Sequence, residues 1–307
     1  MPELPEVQTT VDGLNKYVKN QKIISVWTDL AKNSPIKQFV GTIKDILFFK
    51  RFKKLIKNQK ILKSERRAKN ILIHLSNNYT ILIHMKMTGH ILYGKYDFDK
   101  KNNKWVPSKN EKNKLLSDPY NRFIHVVFSL DNGKNFVFCD SRKFGKVTLI
   151  KTDELYKSIH LKNLGPEPLD NNFKLEDFKS CLRKKPNGKI KTVLLDPSII
   201  SGIGNIYSDE ILWESSINPL RRVSSLKDSD LNKMFKSMKK LLQRGIDLGG
   251  DSMSDYRNII GGRGDFQNKH NTYRLTGDPC KKTNCKGSIV RLSIGARSSH
   301  FCDIHQK

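Results

Sequence analysis

Hydrophobic spacing changes character once along this chain of 307 residues, and that change bounds the folds open to it. Before about residue 152 the apolar residues come in short runs. Ile71-Leu72-Ile73-His74-Leu75 and Ile81-Leu82-Ile83-His84-Met85 flank Ser76-Asn77-Asn78-Tyr79. Residues 124–130 and 136–139 flank Asp131-Asn132-Gly133-Lys134. Such runs broken by Asn/Gly turns predict hairpins. They follow a leading helix over 5–18, where Val7, Val11, Leu14 and Val18 recur at helical spacing and Pro5 suits the first turn. After residue 152 the period is helical: Leu231, Met234, Phe235, Met238, Leu241 and Leu242 form one stripe, stopped by Gly249-Gly250. The expected class is α+β and multidomain, with domains at 1–152, 153–272 and 273–307. Residues 94–121 are polar and Lys-rich and read as a mobile loop.

Lys and Arg number 57 against 30 Asp and Glu, a formal charge of +27. That excess suits a polyanion, with nucleic acid or an anionic membrane as the obvious partners. Asn-Lys tracts such as 100–114 also fit a compositional bias, which leaves the Gly-rich turns and cysteine cluster unexplained. No run of about 18 apolar residues is present, and no basic stretch followed by an apolar one opens the chain. Five cysteines, an odd number with three near the C-terminus, argue against a disulfide framework. The expectation is an intracellular protein with no membrane span.

The chain opens Met1-Pro2-Glu3-Leu4-Pro5-Glu6. Removal of the initiator methionine would expose a secondary amine followed at once by a carboxylate. Such an amine can attack a sugar C1′ to form an iminium while the carboxylate moves protons. A helix starting just beyond Pro2 would depress the amine pKa through its dipole. The plainer reading is chance at Pro2, with Pro5 and Glu6 serving only the helix start.

Ser201-Gly202-Ile203-Gly204-Asn205 offers bare backbone N–H groups before a helix, with Asn205 as its expected cap. Residues 189–196 read as the helix before it, so the unit is helix, turns, helix; an ordinary Gly-rich connection is the alternative. Cys280 and Cys285, then sixteen residues, then Cys302 and His305 make two knuckles suited to tetrahedral zinc. With four protein ligands such a zinc would be structural, ordering a tail too short to fold alone. Cys139 and Cys181 lie outside that cluster and read as buried residues. Arg66-Arg67-Ala68-Lys69 offers cations on a short reach. Met87 ends a strand, and Arg142 and Phe144 sit two residues apart on a turn. An apolar wedge with an arginine fills the gap left by an extruded base. Taken singly, Met87 and Phe144 could equally be core, and Arg142 a solvated cation.

The set MPELPEV, RRAKNILIHL, HMKMTG, DSRKFG, LGPEPL, SGIGNIYSDEILW and RSSHFC, in this order, resembles the formamidopyrimidine-DNA glycosylase / endonuclease VIII family, closer to the first branch. The resemblance covers nearly the whole chain. It implies a two-layer β-sandwich with a leading helix, a helix–two-turns–helix domain and a zinc-finger β-hairpin, with DNA between the domains. It implies a monomeric bifunctional glycosylase/AP lyase of base excision repair, acting on double-stranded DNA that carries oxidised purines or abasic sites. In that reading Pro2 forms a Schiff base with C1′, Glu3 moves protons as the base leaves, and Lys69 contacts phosphate and supports β,δ-elimination. Met87, Arg142 and Phe144 fill the void, and Asn205 and Arg297 hold the phosphate. The alternatives are excision of oxidised pyrimidines, which Leu4 disfavours, and a non-catalytic zinc-containing binder of damaged DNA, which the intact Pro2-Glu3 pair disfavours. Two departures stand out: His305 and a four-residue gap in the finger, and Gly261-Gly262-Arg263-Gly264-Asp265-Phe266 within 253–267, a segment with the length of the family's lesion-covering loop.

Overall fold

The N-terminal stripe is realised in helix α1 (Leu4–Tyr17), which buries Leu4, Val7, Val11 and Leu14. The computed structural model describes residues 1–32 and 40–307. Contacts gather the described chain into two units, 1–162 with 249–265, and 163–248 with 266–307. Segment 249–265, which the sequence placed with the helical part, therefore packs with the N-terminal part.

In the first unit α1 packs on two four-stranded antiparallel sheets. One has the order β1 (Ile23–Thr28), β8 (Ile124–Leu130), β9 (Asn135–Cys139), β5 (His90–Gly94). The other runs β10 (Lys146–Lys151), β4 (Tyr79–His84), β3 (Asn70–Leu75), β2 (Ile61–Arg67). Their facing side chains form one core: Phe128, Phe136 and Phe138 from the first sheet with Ile71, Ile73, Ile81 and Ile83 from the second. Helix α2 (Ile46–Ile56) adds Phe49, Phe52 and Ile56 to that core. The Asp45 carboxylate caps its start by accepting the Leu47 and Phe48 N–H groups.

The reading of 94–121 as a mobile loop is corrected. It contains a hairpin, β6 (Tyr96–Asp99) with β7 (Lys104–Pro107), and two short 3-10 turns. The reason lies in the first sheet. Residues alternating with the core set, Leu92, Val127, Val137 and Cys139, face the other way and are equally apolar. That outer face needs a cover, and Tyr96, Leu116 and Trp105 supply it. Trp27, Phe98 and Trp105 meet edge-on or tilted at 5.6–6.4 Å. The continuous apolar run Phe136-Val137-Phe138-Cys139 was the available signal of a strand buried on both faces.

The second unit is built from α3 (Leu175–Arg183), α4 (Ile190–Leu195), α5 (Asn205–Glu214), α6 (Asp228–Asp247) and the hairpin β11 (Ile289–Ile294) with β12 (Arg297–Cys302). The predicted stripe of α6 is buried at Leu231, Met234, Met238, Leu241 and Leu242. α5 buries every residue from Ile206 to Trp213, including Ser208, Asp209 and Glu210. Those polar groups are satisfied. Lys191 Nζ, fully buried, donates to Asp209 Oδ1 at 2.6 Å, Ser208 Oγ at 2.7 Å and the Asn205 carbonyl at 3.1 Å. Asp209 Oδ2 accepts both the N–H and Nδ1 of His300 on β12. Glu210 accepts the backbone N–H groups of Asn271, Thr272 and Tyr273. Among the described residues no helix is long and apolar enough to cross a membrane.

Replacing Lys191 with Met leaves Asp209 buried without its cation. Urea unfolding should show a loss of about 3–5 kcal/mol, the cost of breaking a buried pair from one side; a loss below about 1 kcal/mol would show that His300 alone suffices.

Candidate active site and nucleic-acid interface

Pro5 lies in the first turn of α1, as expected, with Glu3 as the N-cap and Pro2 buried beneath an exposed Met1. Glu3 and Glu6 form a capping box in which the Glu3 N–H donates to Glu6 Oε2 at 2.7 Å. The other oxygen, Oε1, accepts the Asp251 N–H at 2.7 Å. The Tyr256 hydroxyl and Thr10 hydroxyl both donate to the Glu6 carbonyl. Burial, and then the neighbouring Glu3 charge, push the Glu6 carboxyl up to about 7, although two N–H donors oppose the shift. Pro2 and Glu3 thus lie beside a carboxyl poised to exchange a proton near neutrality.

Lys69 sits in the two-residue turn between β2 and β3, next to Ala68, whose φ of 54° is left-handed. The turn brings it to the end of β4, where Asn70 pairs with His84 and His84 with Lys146. Burial, followed by the charges of Lys86 and Lys69, holds His84 down at about 3, so the imidazole is neutral. His160 is held at about 4 by burial and by Lys146 and Lys86. Burial also lowers Lys44 and Lys146. Both imidazoles are kept neutral chiefly by burial, with the neighbouring lysine charges acting in the same direction.

Met87 and Phe144 stand out from the surface, 36% and 53% exposed, so neither is core. The Arg142 guanidinium lies 4.6 Å from the Phe144 ring centre. All three line a cavity of about 550 Å³ with Lys44, Lys86 and Lys146. One buried carboxylate builds both turns. Asp140 Oδ1 accepts the Thr88 hydroxyl and the Arg142 N–H, and Oδ2 accepts the Gly145 N–H at 2.6 Å. A side chain at Gly145 would come within 2.3 Å of the Phe138 ring, so the turn closes only with glycine.

In the second unit Asn205 is the first residue of α5, and Gly204 is the N-cap. The expectation that Asn205 caps the helix is therefore corrected: its side chain is turned to β12, where Nδ2 donates to the Ser298 carbonyl at 2.9 Å. Its Oδ1 is buried without a hydrogen-bond partner. Arg297 is exposed, immediately after the turn Gly295-Ala296, where both φ angles are +58°. That geometry is a type I′ hairpin turn, which presents Arg297 at the tip. Asn205 and Arg297 are thus brought together by the β11–β12 hairpin.

The ligand atoms of Cys280, Cys285, Cys302 and His305 all lie within 4.8 Å of one another. Cys280 Sγ is 3.2 Å and Cys285 Sγ 4.0 Å from His305 Nδ1, and Cys285 and Cys302 sulfurs are 3.6 Å apart. A tetrahedral ion with bonds of roughly 2.0 to 2.3 Å spaces its ligands at roughly 3.5 to 3.8 Å. His305 Nε2 donates to the Trp213 carbonyl at 3.1 Å, which aims Nδ1 at the thiols. Backbone N–H groups of Lys282, Gly287 and Ile304 point at the three sulfurs. The cluster can hold a metal ion. Cys139 and Cys181 are buried outside it, and burial pushes both thiols up, away from reactivity.

The family model described as formamidopyrimidine-DNA glycosylase N-terminal domain matches residues 1–147, and that of the formamidopyrimidine-DNA glycosylase H2TH domain matches 164–257. A formamidopyrimidine-DNA glycosylase of Herpetosiphon aurantiacus is 34% identical over 306 residues, covering 100% of both chains. One from Pelotomaculum thermopropionicum is 35% identical, covering 100% of this chain and 99% of its own. The chain belongs to the formamidopyrimidine-DNA glycosylase family. A crystal structure of a Lactococcus lactis Fpg mutant with Fapy-dG containing DNA superposes with a TM-score of 0.82 at 28% identity, covering 100% of both chains. Another, of L. lactis Fpg with abasic site containing DNA, gives 0.82 at 28% identity over 99% of each.

Within this family member the sequence reading missed three contributors. Glu6 was read as a helix-dipole residue, Asp140 only as the start of a turn, and Lys191 only as part of a helix. Their burial was the missing information: an acidic or basic residue in such a motif shows its role only when its partners are known.

The raised Glu6 carboxyl has a consequence for stability. Folding favours the protonated form, so this contribution is full below about pH 4.5 and is lost as pH rises to about 7. Between pH 5 and 8, wild type should lose stability relative to Glu6→Gln, by up to roughly 3 kcal/mol at about 1.4 kcal/mol per pKa unit. Chemical denaturation across that range checks it; a difference independent of pH counts against it.

Proposed function

We propose that this protein is a bifunctional DNA glycosylase/AP lyase that removes oxidised purines from double-stranded DNA, with Pro2 as its nucleophile. The observation that carries the reading is Pro2 and Glu3 at the start of α1 beside a buried Glu6 carboxyl titrating near 7. The family membership and the lesion-bearing DNA in the L. lactis structures support the substrate class.

Once Met1 is removed, the Pro2 nitrogen attacks C1′ of the damaged nucleotide. The glycosidic bond breaks and the base leaves with a proton relayed through Glu3. The C1′–O4′ bond then opens, the proton of the proline nitrogen passes to O4′, and the nitrogen lone pair forms the iminium. The iminium acidifies the C2′ proton. Its loss expels the 3′ phosphate by β-elimination, and a second elimination expels the 5′ phosphate. Lys69, held in its tight turn, contacts phosphate during these steps. Met87, Arg142 and Phe144 fill the space left by the everted nucleotide, with Arg142 toward the orphaned base. Asn205 and Arg297 grip the phosphate at the lesion.

The metal is zinc, about one ion per chain, held by Cys280, Cys285, Cys302 and His305. When bound it cross-links the two knuckles and takes no part in the reaction, since its four positions are filled by protein. The finger hairpin, and with it Arg297, is kept in place by this cross-link. The protein works as a monomer wherever the cell keeps its DNA.

Borohydride reduction with abasic-site DNA should trap a covalent adduct in the native protein and none in Pro2→Gly; trapping equal in both would falsify the assignment. Purified protein should carry close to one zinc, and chelation or Cys285→Ser should cost DNA affinity before it costs abundance of folded protein. Arg297→Ala should reduce the slope of log K against log salt by about 1, the share of one phosphate contact; an unchanged slope removes Arg297 from the interface.

A further inference from the structure

Segment 249–265 contains no helix or strand, yet the Glu6 carboxylate depends on it for one of its two N–H donors. A loop of this kind holds a single conformation only if something outside it offsets its conformational entropy. α1 provides part of that support. Ile259 sits in the main core, and a Cβ at Gly13 would lie 2.4 Å from it. The Tyr93 N–H of β5 donates to the Ile259 carbonyl at 2.8 Å.

Ser141 Oγ, from the Asp140 turn, donates to Asp255 Oδ1 at 3.1 Å, and further support comes from the Lys-rich insert. Asn113 Nδ2 donates to the Ile260 carbonyl at 2.7 Å. Asn121 Nδ2 donates to Leu115 O at 2.9 Å and to Gly261 O at 3.5 Å, while its Oδ1 meets His90 Nε2 at 2.9 Å. Arg257, 3% exposed, has Asp118 at 3.4 Å and the Tyr120 ring at 4.6 Å. Gly261 has a φ of +85°, and a Cβ there would lie 2.8 Å from the Leu115 carbonyl. Within the loop, Asn258 Oδ1 accepts the Ile260 and Gly262 N–H groups, closing the tip against the insert.

We infer that residues 111–121 are a brace for the loop 250–262, and that Asn113, Asp118 and Asn121 are positioning residues for base release. They act through the loop, which holds Glu6 and, through the Glu3 N–H, the residue that handles the departing base's proton. The inference rests on the function proposed above. It makes a distinction between substrates: a pre-formed abasic site has no base to release, so its cleavage bypasses the step the brace serves.

The test uses the full-length, zinc-loaded protein with three variants: Asn113→Ala, Asp118→Asn and, from the loop side, Gly261→Ala. Three readouts are taken: amide hydrogen exchange over 250–262, single-turnover release of an oxidised purine, and cleavage of abasic-site DNA. Exchange in 250–262 should rise in each variant while the sandwich strands stay protected. Base release should fall about fivefold for Asn113→Ala, the share of one neutral hydrogen bond, and at least about tenfold for the other two. Abasic cleavage should stay within about twofold of wild type. Unchanged exchange and base release in a folded variant would overturn the brace, and equal losses in both reactions would reduce it to a general structural support. If wild type itself releases no oxidised purine, the proposed function fails, and the exchange measurement alone decides whether the insert holds the loop.

Discussion

The Glu6 carboxylate is the interaction on which the first unit depends. One oxygen takes the N–H of Glu3 and the other the N–H of Asp251, residues far apart in sequence. Burying a carboxyl is costly unless its oxygens are satisfied, so neither segment can shift without leaving one buried oxygen of Glu6 bare. The start of α1 and the loop 250–262 are therefore ordered together. Burial raises the Glu6 carboxyl to about 7, and its donors keep a charged form accessible. Structure and proton chemistry here are two results of one arrangement.

The same device recurs elsewhere. Asp140, 1% exposed, gathers Thr88, Arg142 N–H and Gly145 N–H, and so fixes the turns that carry Met87, Arg142 and Phe144. Asp209 joins Lys191 to His300, linking the α4–α5 connection to β12, while Asn205 bonds the adjacent Ser298 carbonyl. In each case a buried acid ties together groups from separate segments. Satisfied buried polar groups specify one geometry because every alternative leaves a donor or acceptor unpaired.

Where expectation and structure part, long-range burial is the cause. The insert 94–121 is polar along its length, and local composition reads it as loop. It is ordered because Leu92, Val127 and Val137 present a second apolar face that Tyr96, Trp105 and Leu116 of this segment cover. Asn205 has the chemistry of a helix cap, yet the Ser298 carbonyl on β12 draws its amide away, and Gly204 takes the cap position. Segment 249–265 follows a helix of the second unit in sequence, yet Ile259 joins the apolar core of the first and the Tyr256 hydroxyl donates to the Glu6 carbonyl there.

The amino-acid order specifies the α+β class, the leading helix, the hairpins around 71–85 and 124–139, the family, and the four residues able to hold a metal with their spacing. All of these follow from local period, turn chemistry or short motifs, which neighbouring residues encode directly. Only the folded arrangement raises the Glu6 carboxyl to about 7, lets Asp140 build the turns that carry Met87, Arg142 and Phe144, and sets a Lys-rich insert against the loop beside Glu6. Those properties depend on what surrounds a side chain once distant segments meet, and burial of this kind is not written in local spacing.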